Sequence, residues 1–294
     1  MAYTTVAIIY NPNSTGASEQ LARELADEIH TRVPRQKVEL FKTEHAGHGE
    51  ELAYDIAISS ERPLIISSSG DGGYYDVING AMKAQREGRQ PTTGILPAGN
   101  ANDHYHNLHT DDLADQIVKQ QSRKIDLLKI ASTTNGKPIE RYAHSYIGFG
   151  LTPQVGQELT KAKLNPVTEA WIVLKSLWTI KPVHLKIDEK VRHYESVVCS
   201  NVDIMSKFLK ISQPSSVTDG RFEVTIFTRR NKLRLLLLLL EASLKGVKED
   251  TQVSEFTLTT VHETLVQADG EIIKLDADAE VRVTVEPRIL TCIV

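Results

Sequence analysis

Up to Ile125 the chain alternates short β-branched apolar runs with segments of helical periodicity, and this alternation restricts the fold more than any other feature. "TTVAIIYN", "QKVELFKT", "PLIISSSG" and "TTGILPAG" read as strands. Between them, "ASEQLARELADEIHTRV" sets Leu21, Leu25, Ile29 and Val33 on one helical face, with Ser18 as N-cap. "HGEELAYDIAISS" does the same through Leu52, Ile56 and Ala57. "YYDVINGAMKAQREG" follows through Val77, Ile78, Ala81 and Met82, closed by Gly88, and "DDLADQIVKQ" is a further helix. Strands separated by helices need crossover connections, so the expectation is an α/β domain with a mostly parallel sheet covered on both faces.

Near Ile125 the pattern changes. "RKIDLLKIAS" and "IERYAHSYIGFG" read as adjacent strands joined by the polar turn "TTNGK". Helical stretches follow at Gln154 to Lys163 and Val167 to Thr179. Then come "VHLKIDE", "HYESVVCSNV", "RFEVTIFT", "EFTLTTV", "ETLVQA", "EIIKLD" and "EVRVTVE", interrupted by the leucine-rich helix "LRLLLLLLEASLKG". Dense short strands predict a β-sandwich or barrel. The expected division is residues 1–126, α/β, and 127–294, β-rich, with the last residues returning to the first domain.

The formal net charge of −4 argues against a nucleic-acid partner. Cys199 and Cys292, the only cysteines, have no companions at zinc spacing and read as buried thiols in a reducing compartment. The leucine run stops at Glu241, short of the ~20 residues a membrane span needs. The N-terminus reads as a first strand rather than a signal peptide.

Chemistry is expected in four strand-to-helix loops: "NPNSTG", "TEHAGHG", "SSSGDGG" and "PAGNAND". In a parallel sheet these loops share the carboxyl end, where ligands bind. Gly70, Gly72 and Gly73 can wrap a di- or triphosphate against helix N–H groups. Asp71 among them suits a Mg²⁺ ligand or a group that takes a hydroxyl proton, while a turn capped by Asp71 is the competing reading. No Walker A, dinucleotide-fold, nucleophile-elbow or zincin motif occurs. His45 and His48, with Glu50 nearby, read as a helix start in preference to a metal site. Asp219-Gly220 and Asp269-Gly270 both read as hairpin turns; such tips could present Glu271 as a general base and Asp219 as a cation ligand.

Taken together, these segments resemble the diacylglycerol kinase catalytic-domain family, soluble bacterial lipid kinases related to sphingosine and ceramide kinases. "IIYNPNSTG" resembles N-P-x-S-G, and "SSSGDGGYYDVINGAM" resembles G-G-D-G-T followed by E-x-x-N-G. "TTGILPAGNANDHYHNL" resembles G-x-x-P-x-G-T-x-N-D-F-A-R, and "RKIDLLKI" the family's I-D strand. "HSYIGFGLTPQV", "SSVTDGRFEVTIF" and "VQADGEII" resemble S-x-G-F-D, D-G-L-L-D-V and the late D-G-E.

The resemblance implies an NAD kinase/diacylglycerol kinase-like α/β domain that binds ATP, and a C-terminal β-sandwich domain for lipid. The implied reaction passes the γ-phosphate of ATP to a primary hydroxyl of diacylglycerol or a related lipid, with Mg²⁺. Asn11, Ser14, Thr43, Gly70, Asp71, Gly72, Gly73, Gly99, Asn100 and Asn102 would hold nucleotide. Asp71, Asp103 and Glu271 would form the acidic catalytic set, with Glu271 the preferred base and Asp71 its rival. Asp219, helped by the carbonyl of Arg221, would belong to a structural Mg²⁺ site. The lipid would be met at a membrane surface, which places the chain in the cytoplasm, peripheral at the inner face; a homodimer is left open. Four positions depart from the pattern: Ser69 stands for a glycine, Gly73 and Asn100 for threonines, and His106 for an arginine. Ser216 also stands where the second aspartate of the structural metal site is usual.

Two rival readings are a kinase of the same architecture acting on a soluble substrate such as NAD, and a catalytically degenerate lipid- or nucleotide-binding protein. Candidate membrane-facing segments are "NPVTEAWIVLKSLWTIKP", with Trp171 and Trp178 on one helical face, and the basic "RRNKLR". Core packing and a solvated turn are the favoured readings of these two.

Overall fold

The computed structural model describes residues 3–14, 16–108, 112–160, 172, 175, 176, 178, 179, 181–205, 209, 210, 216–228 and 250–293. It divides into two compact units, Met1–Leu127 with Pro287–Val294, and Leu128–Glu286.

The first unit runs β1 (Thr5–Tyr10), α1 (Ser18–Arg32), β2 (Val38–Lys42), α2 (His48–Ser59), β3 (Pro63–Ser69), α3 (Asp71–Arg86), β4 (Thr92–Pro97), α4 (Asp103–Leu108) and α5 (Leu113–Lys119). The strands are all parallel, in the order β2-β1-β3-β4. Thr291 and Cys292, near the chain's end, extend the sheet by pairing parallel with Thr92 and Thr93. The β1-to-β2 connection runs one way across the sheet, and those from β2 to β3 and β3 to β4 run the other. Right-handed crossovers therefore put α1 on one face and α2 and α3 on the opposite one. On the α1 face, Val6, Ile8, Leu64 and Ile66 pack with Leu25, Ile29, Leu113 and Ile117. On the other, α2 and α3 approach closely at Gly80, where a Cβ would come within 2.3 Å of the Glu50 carbonyl oxygen. The Asn79-Gly80 pair is thus a helix-packing feature: the Asn79 amide donates to the Tyr75 carbonyl one turn back.

Ser18 is not the N-cap of α1. That position belongs to Ala17, in the left-handed region at φ 47°. The Ser18 hydroxyl instead donates to the Ser68 carbonyl and accepts the Asn11 N–H, which ties the first loop to β3.

The second unit, whose strands pair antiparallel at β6, β7, β8, β9, β12, β13, β14, β15 and β16, begins within β5 (Ser122–Thr134), followed by β6 (Lys137–Ala143), β7 (Tyr146–Gly150) and α6 (Leu151–Thr160). Then come β8 (Val183–Ile187), β9 (Lys190–Ser200), β10 (Ile204–Met205), β11 (Leu209–Lys210), β12 (Phe222–Thr228), β13 (Asp250–Val253), β14 (Glu255–Thr260), β15 (Thr264–Ala268), β16 (Glu271–Leu275) and β17 (Glu280–Ile293). β9 is its hub, pairing with β7, β8 and β12. β15 joins β7 to β16, β14 joins β8 to β17, and β13 lies on β12.

Two-residue turns with both residues at positive φ close three hairpins: Asn135-Gly136, Asp188-Glu189 and Asp269-Gly270. This backbone matches the right-handed twist of the strands it joins. Asp219-Gly220 behaves differently. The strand after it, β12, pairs with β9 and β13, so among the described residues this turn joins no pair of neighbouring strands.

Both cysteines are buried and free. Desolvation raises both thiols, Cys292 to about 12, so neither is a reactive thiolate. Trp178 is 53% exposed, which corrects its reading as a core residue. Trp171, the leucine-rich helix and the basic segment from Arg229 to Arg234 lie outside the described residues. Among those described, no helix is long and apolar enough to cross a membrane.

Candidate active site

In the order β2-β1-β3-β4, the chain leaves β1 toward one edge of the sheet and β3 toward the other. The carboxyl ends of β1 and β3 therefore flank a topological switch point, where loops diverge and leave a crevice. The sequence of the first unit puts its Gly-, Asn- and Ser-rich loops at this end.

Three of the loops meet around Ala98 and Gly99. The Gly16 N–H donates to the Ala98 carbonyl at 2.9 Å, and the Ser14 hydroxyl donates to the same oxygen. Gly70 and Gly99 lie backbone to backbone: a Cβ on Gly99 would stand 2.2 Å from the Gly70 Cα. The Asn102 side chain closes the fourth loop on itself, accepting the Gly99 N–H at 2.9 Å and donating to the Gly99 carbonyl at 3.0 Å. That holds Asn102 at φ 52°, a conformation asparagine tolerates better than most residues. Asn11 accepts the Asn13 N–H at 2.9 Å in a side-chain turn. Thr43 is anchored to the end of β1 by its N–H, 3.0 Å from the Tyr10 carbonyl. The unit thus brings together Asn11, Ser14, Thr43, Gly70, Asp71, Gly72, Gly73, Gly99, Asn100, Asn102 and Asp103 at one end of the sheet.

Asp71 opens α3 without capping it. The cap position is Gly70, in extended backbone with no side-chain bond. The carboxylate reaches another helix: Oδ2 accepts the Asp103 N–H and Oδ1 the His104 N–H, each at 3.1 Å. Asp71 therefore holds the start of α4 and fixes Asp103, which is 3% exposed, beside it.

Ser69 and Gly73, two departures from the family pattern, are sterically one exchange. A Cβ on Gly73 would lie 2.2 Å from the Ser69 Oγ and 2.6 Å from its Cβ, with nothing else nearer than 3.7 Å. With a serine at 69, any side chain at 73 forces the Ser69 side chain or the backbone to shift. The Ser69 hydroxyl does not replace the missing threonine toward the loop, because it bonds the Ser67 hydroxyl at 2.6 Å and the Gly70 carbonyl at 3.1 Å. Gly73→Ala is expected to destabilise the protein by about 1–3 kcal/mol through overpacking, and Ser69→Gly to abolish that penalty. A double-mutant cycle of denaturant midpoints measures this, and additive effects would refute the coupling.

In the second unit, the Asp269 carboxylate is fully buried and accepts the N–H groups of His144, Ser145 and Tyr146, the latter two at 3.0 and 2.9 Å. The junction between β6 and β7 is wrapped around it. Glu271 follows two residues later as the first residue of β16. Its side chain is solvent-accessible, yet enough protein surrounds it that desolvation raises its carboxyl pKa. Asp219 is exposed; Oδ1 accepts the Arg221 N–H at 3.0 Å and Oδ2 lies 3.4 Å from the Gln252 amide. Among the described residues, no cluster of three His, Cys, Asp or Glu ligand atoms includes Asp219. The donors shown there are the Asp219 carboxylate and the Arg221 carbonyl, with no third His, Cys, Asp or Glu ligand beside them among the described residues. The histidine pair after β2 gathers Glu51, not Glu50: ligand atoms of His45, His48 and Glu51 lie within 4.8 Å of one another.

Sequence reasoning passed over Asp269 as a buried acceptor and Ser18 as a tie between loops. The only available signal was positional: an aspartate two residues before the candidate base, and a serine just after the first glycine loop.

The family model described as "Diacylglycerol kinase catalytic domain" matches residues 5–130. A diacylglycerol kinase of Staphylococcus epidermidis is 25% identical over 241 residues, which cover 78% of this chain and 72% of that protein. A crystal structure of a diacylglycerol kinase from Bacillus anthracis str. Sterne superposes with a TM-score of 0.71 at 17% identity, covering 100% of this chain and 97% of that one. Yeast NADH kinase, crystallised with NADH, shares the fold more distantly, with a TM-score of 0.51 at 11% identity over 100% of this chain and 84% of that one. The matched residues 5–130, which contain the switch-point loops and Asp71, are thus similar to the diacylglycerol kinase catalytic domain.

Proposed function

We propose that the chain is an ATP-dependent kinase that transfers the γ-phosphate to a primary hydroxyl of diacylglycerol or a related lipid. The observation that carries this reading is Asp71, set at the head of α3 within a glycine loop at the switch point and bonded to the start of α4. The residues fit the groups such a reaction needs. First-turn N–H groups of α3 have no intrahelical acceptor and suit phosphate. Asn11, Ser14, Thr43, Gly99, Asn100 and Asn102 line the loops that would hold the rest of the nucleotide. Asp71 and Asp103 are hard oxygen donors that suit Mg²⁺, and the ion would neutralise charge on the transferred phosphoryl group.

In the proposed step the lipid hydroxyl oxygen forms a bond to the γ-phosphorus, and the bond from that phosphorus to the ADP oxygen breaks. Glu271 takes the hydroxyl proton. Its raised pKa brings it nearer to neutrality than an ordinary carboxylate, which suits a base. A base must be deprotonated to work, so kcat is expected to fall as pH drops through the raised Glu271 pKa. That acid limb should lie above the ordinary carboxylate range, and a pH–rate profile of Glu271→Gln should lack it. An unchanged limb in the variant removes Glu271 from the role.

The direct test incubates the protein with labelled ATP, Mg²⁺ and a panel of lipids. Absence of any labelled lipid overturns the proposal. The fold shared with yeast NADH kinase keeps a soluble acceptor as the second reading, and competition between NAD and lipid as acceptors separates the two. ATP binding without turnover on either acceptor would instead mark a degenerate binding protein.

A further inference from the structure

Three histidines meet on the second unit. His184 lies in β8, His193 in β9, and His262 in the turn between β14 and β15. The ring centroids of His184 and His193 are 3.8 Å apart, and those of His184 and His262 are 5.3 Å apart. His184 is half-buried, and the other two are exposed.

The backbone explains the convergence. His184 and His193 are direct cross-strand partners in the hairpin closed by Asp188-Glu189. That two-residue turn closes on the hydrogen-bonded pair Ile187/Lys190. Alternation along the ladder then makes His184/His193 a non-hydrogen-bonded pair, the type whose side chains stand closest. The third ring is brought in by its own turn. The Val261 N–H donates to the His184 carbonyl at 3.3 Å, and the His262 carbonyl accepts the Thr264 hydroxyl at 2.8 Å. The three imidazoles stand on separately anchored backbone segments, and their nitrogens do not all lie within 4.8 Å of one another as the side chains are set.

We propose that His184, His193 and His262 form a binding site for a divalent transition-metal ion of the imidazole-seeking class, Zn²⁺, Ni²⁺ or Cu²⁺. Imidazole nitrogen is a preferred donor for these ions, and three histidines complete the protein's share of a four-coordinate site. An ion would require rotation of the two exposed side chains between staggered rotamers to bring their nitrogens together. An ion held there would pin β8, β9 and the β14–β15 turn together. Mg²⁺ prefers oxygen ligands, so this site is chemically separate from the one proposed for catalysis.

The test titrates the full-length, metal-stripped protein with Zn²⁺ against a chromophoric chelator. His193→Gln/His262→Gln is run beside His45→Gln/His48→Gln, because the latter pair belongs to the other histidine cluster. Wild type is expected to hold an ion that the first double variant loses and the second keeps. Zn²⁺ should also raise Tm in wild type and not in the first variant, since binding to the native state alone stabilises it. In the unmutated protein, sub-stoichiometric Cu²⁺ should broaden the NMR signals of His184, His193 and His262 first. Ion binding that survives His193→Gln/His262→Gln unchanged, is lost only in His45→Gln/His48→Gln, or is absent from wild type overturns the proposal. So does broadening that begins elsewhere.

Discussion

Asp71→Asn is expected to lower the rate of lipid phosphorylation by about 10²–10⁴-fold, the range usually lost with a positioned acid–base group. The substitution keeps the side chain's size and removes its charge. One oxygen still accepts an N–H from α4, while the new amide faces the other N–H donor to donor. The structural cost should therefore be modest, about 1–2 kcal/mol, for one compromised hydrogen bond to a charged group. Activity and thermal stability measured on the same preparation separate the two roles. A large loss of rate with a small loss of Tm supports chemistry or ion binding at Asp71. A variant that labels lipid within tenfold of wild type leaves Asp71 only as the clamp on α4, and sinks the proposed catalytic set at its centre.

Asp269→Ala should be the most damaging single substitution for folding. The carboxylate is fully buried, accepts three backbone N–H groups, and lies 3.3 Å from Nε2 of the equally buried His144. Alanine leaves those donors with no acceptor in a place water does not reach. Each orphaned group costs about 1–3 kcal/mol. At about 2–4 °C per kcal/mol, Tm should drop on the order of 10 °C. Thermal unfolding followed by circular dichroism measures it, and a change equivalent to less than about 1 kcal/mol contradicts this account. Asp269→Asn should fall between, because one oxygen remains to receive the junction.

Much of the first unit was legible from spacing alone. The predicted helices α1, α2 and α3 carry Leu25, Ile29, Ile56, Ala57, Val77 and Ile78 into the core as the periodicity demands. Hairpins at Asn135-Gly136 and Asp269-Gly270 were equally plain, because positive φ at both turn positions selects those residues. What escaped depends on partners remote in sequence. Ser18 reads as a cap because caps are local, yet its acceptor is the carbonyl of Ser68, fifty positions on. Asp71 likewise reads as a cap or an ion ligand, and only the folded chain shows its carboxylate on the far helix α4. Asp219-Gly220 has the same dipeptide as the true hairpin, but a turn becomes a hairpin only if the flanking strands choose each other, and β12 prefers β9 and β13. The Ser69–Gly73 exchange was visible as two oddities and became one fact once the strand-to-helix bend brought the fifth residue back onto the first.

The pairing of Thr291 and Cys292 with β4 has a consequence for how the protein is made. Synthesis proceeds from the N-terminus, so β4 leaves the ribosome long before its outer neighbour exists. Until Thr291 and Cys292 arrive, β4 presents an open row of backbone donors and acceptors, the kind of edge that recruits stray strands. The parallel sheet of the first unit therefore cannot be finished co-translationally as an independent module; all of Leu128–Glu286 must be synthesised first. Any stall or premature stop within that stretch leaves β4 bare, which makes shortened chains of this protein the ones most prone to aggregate.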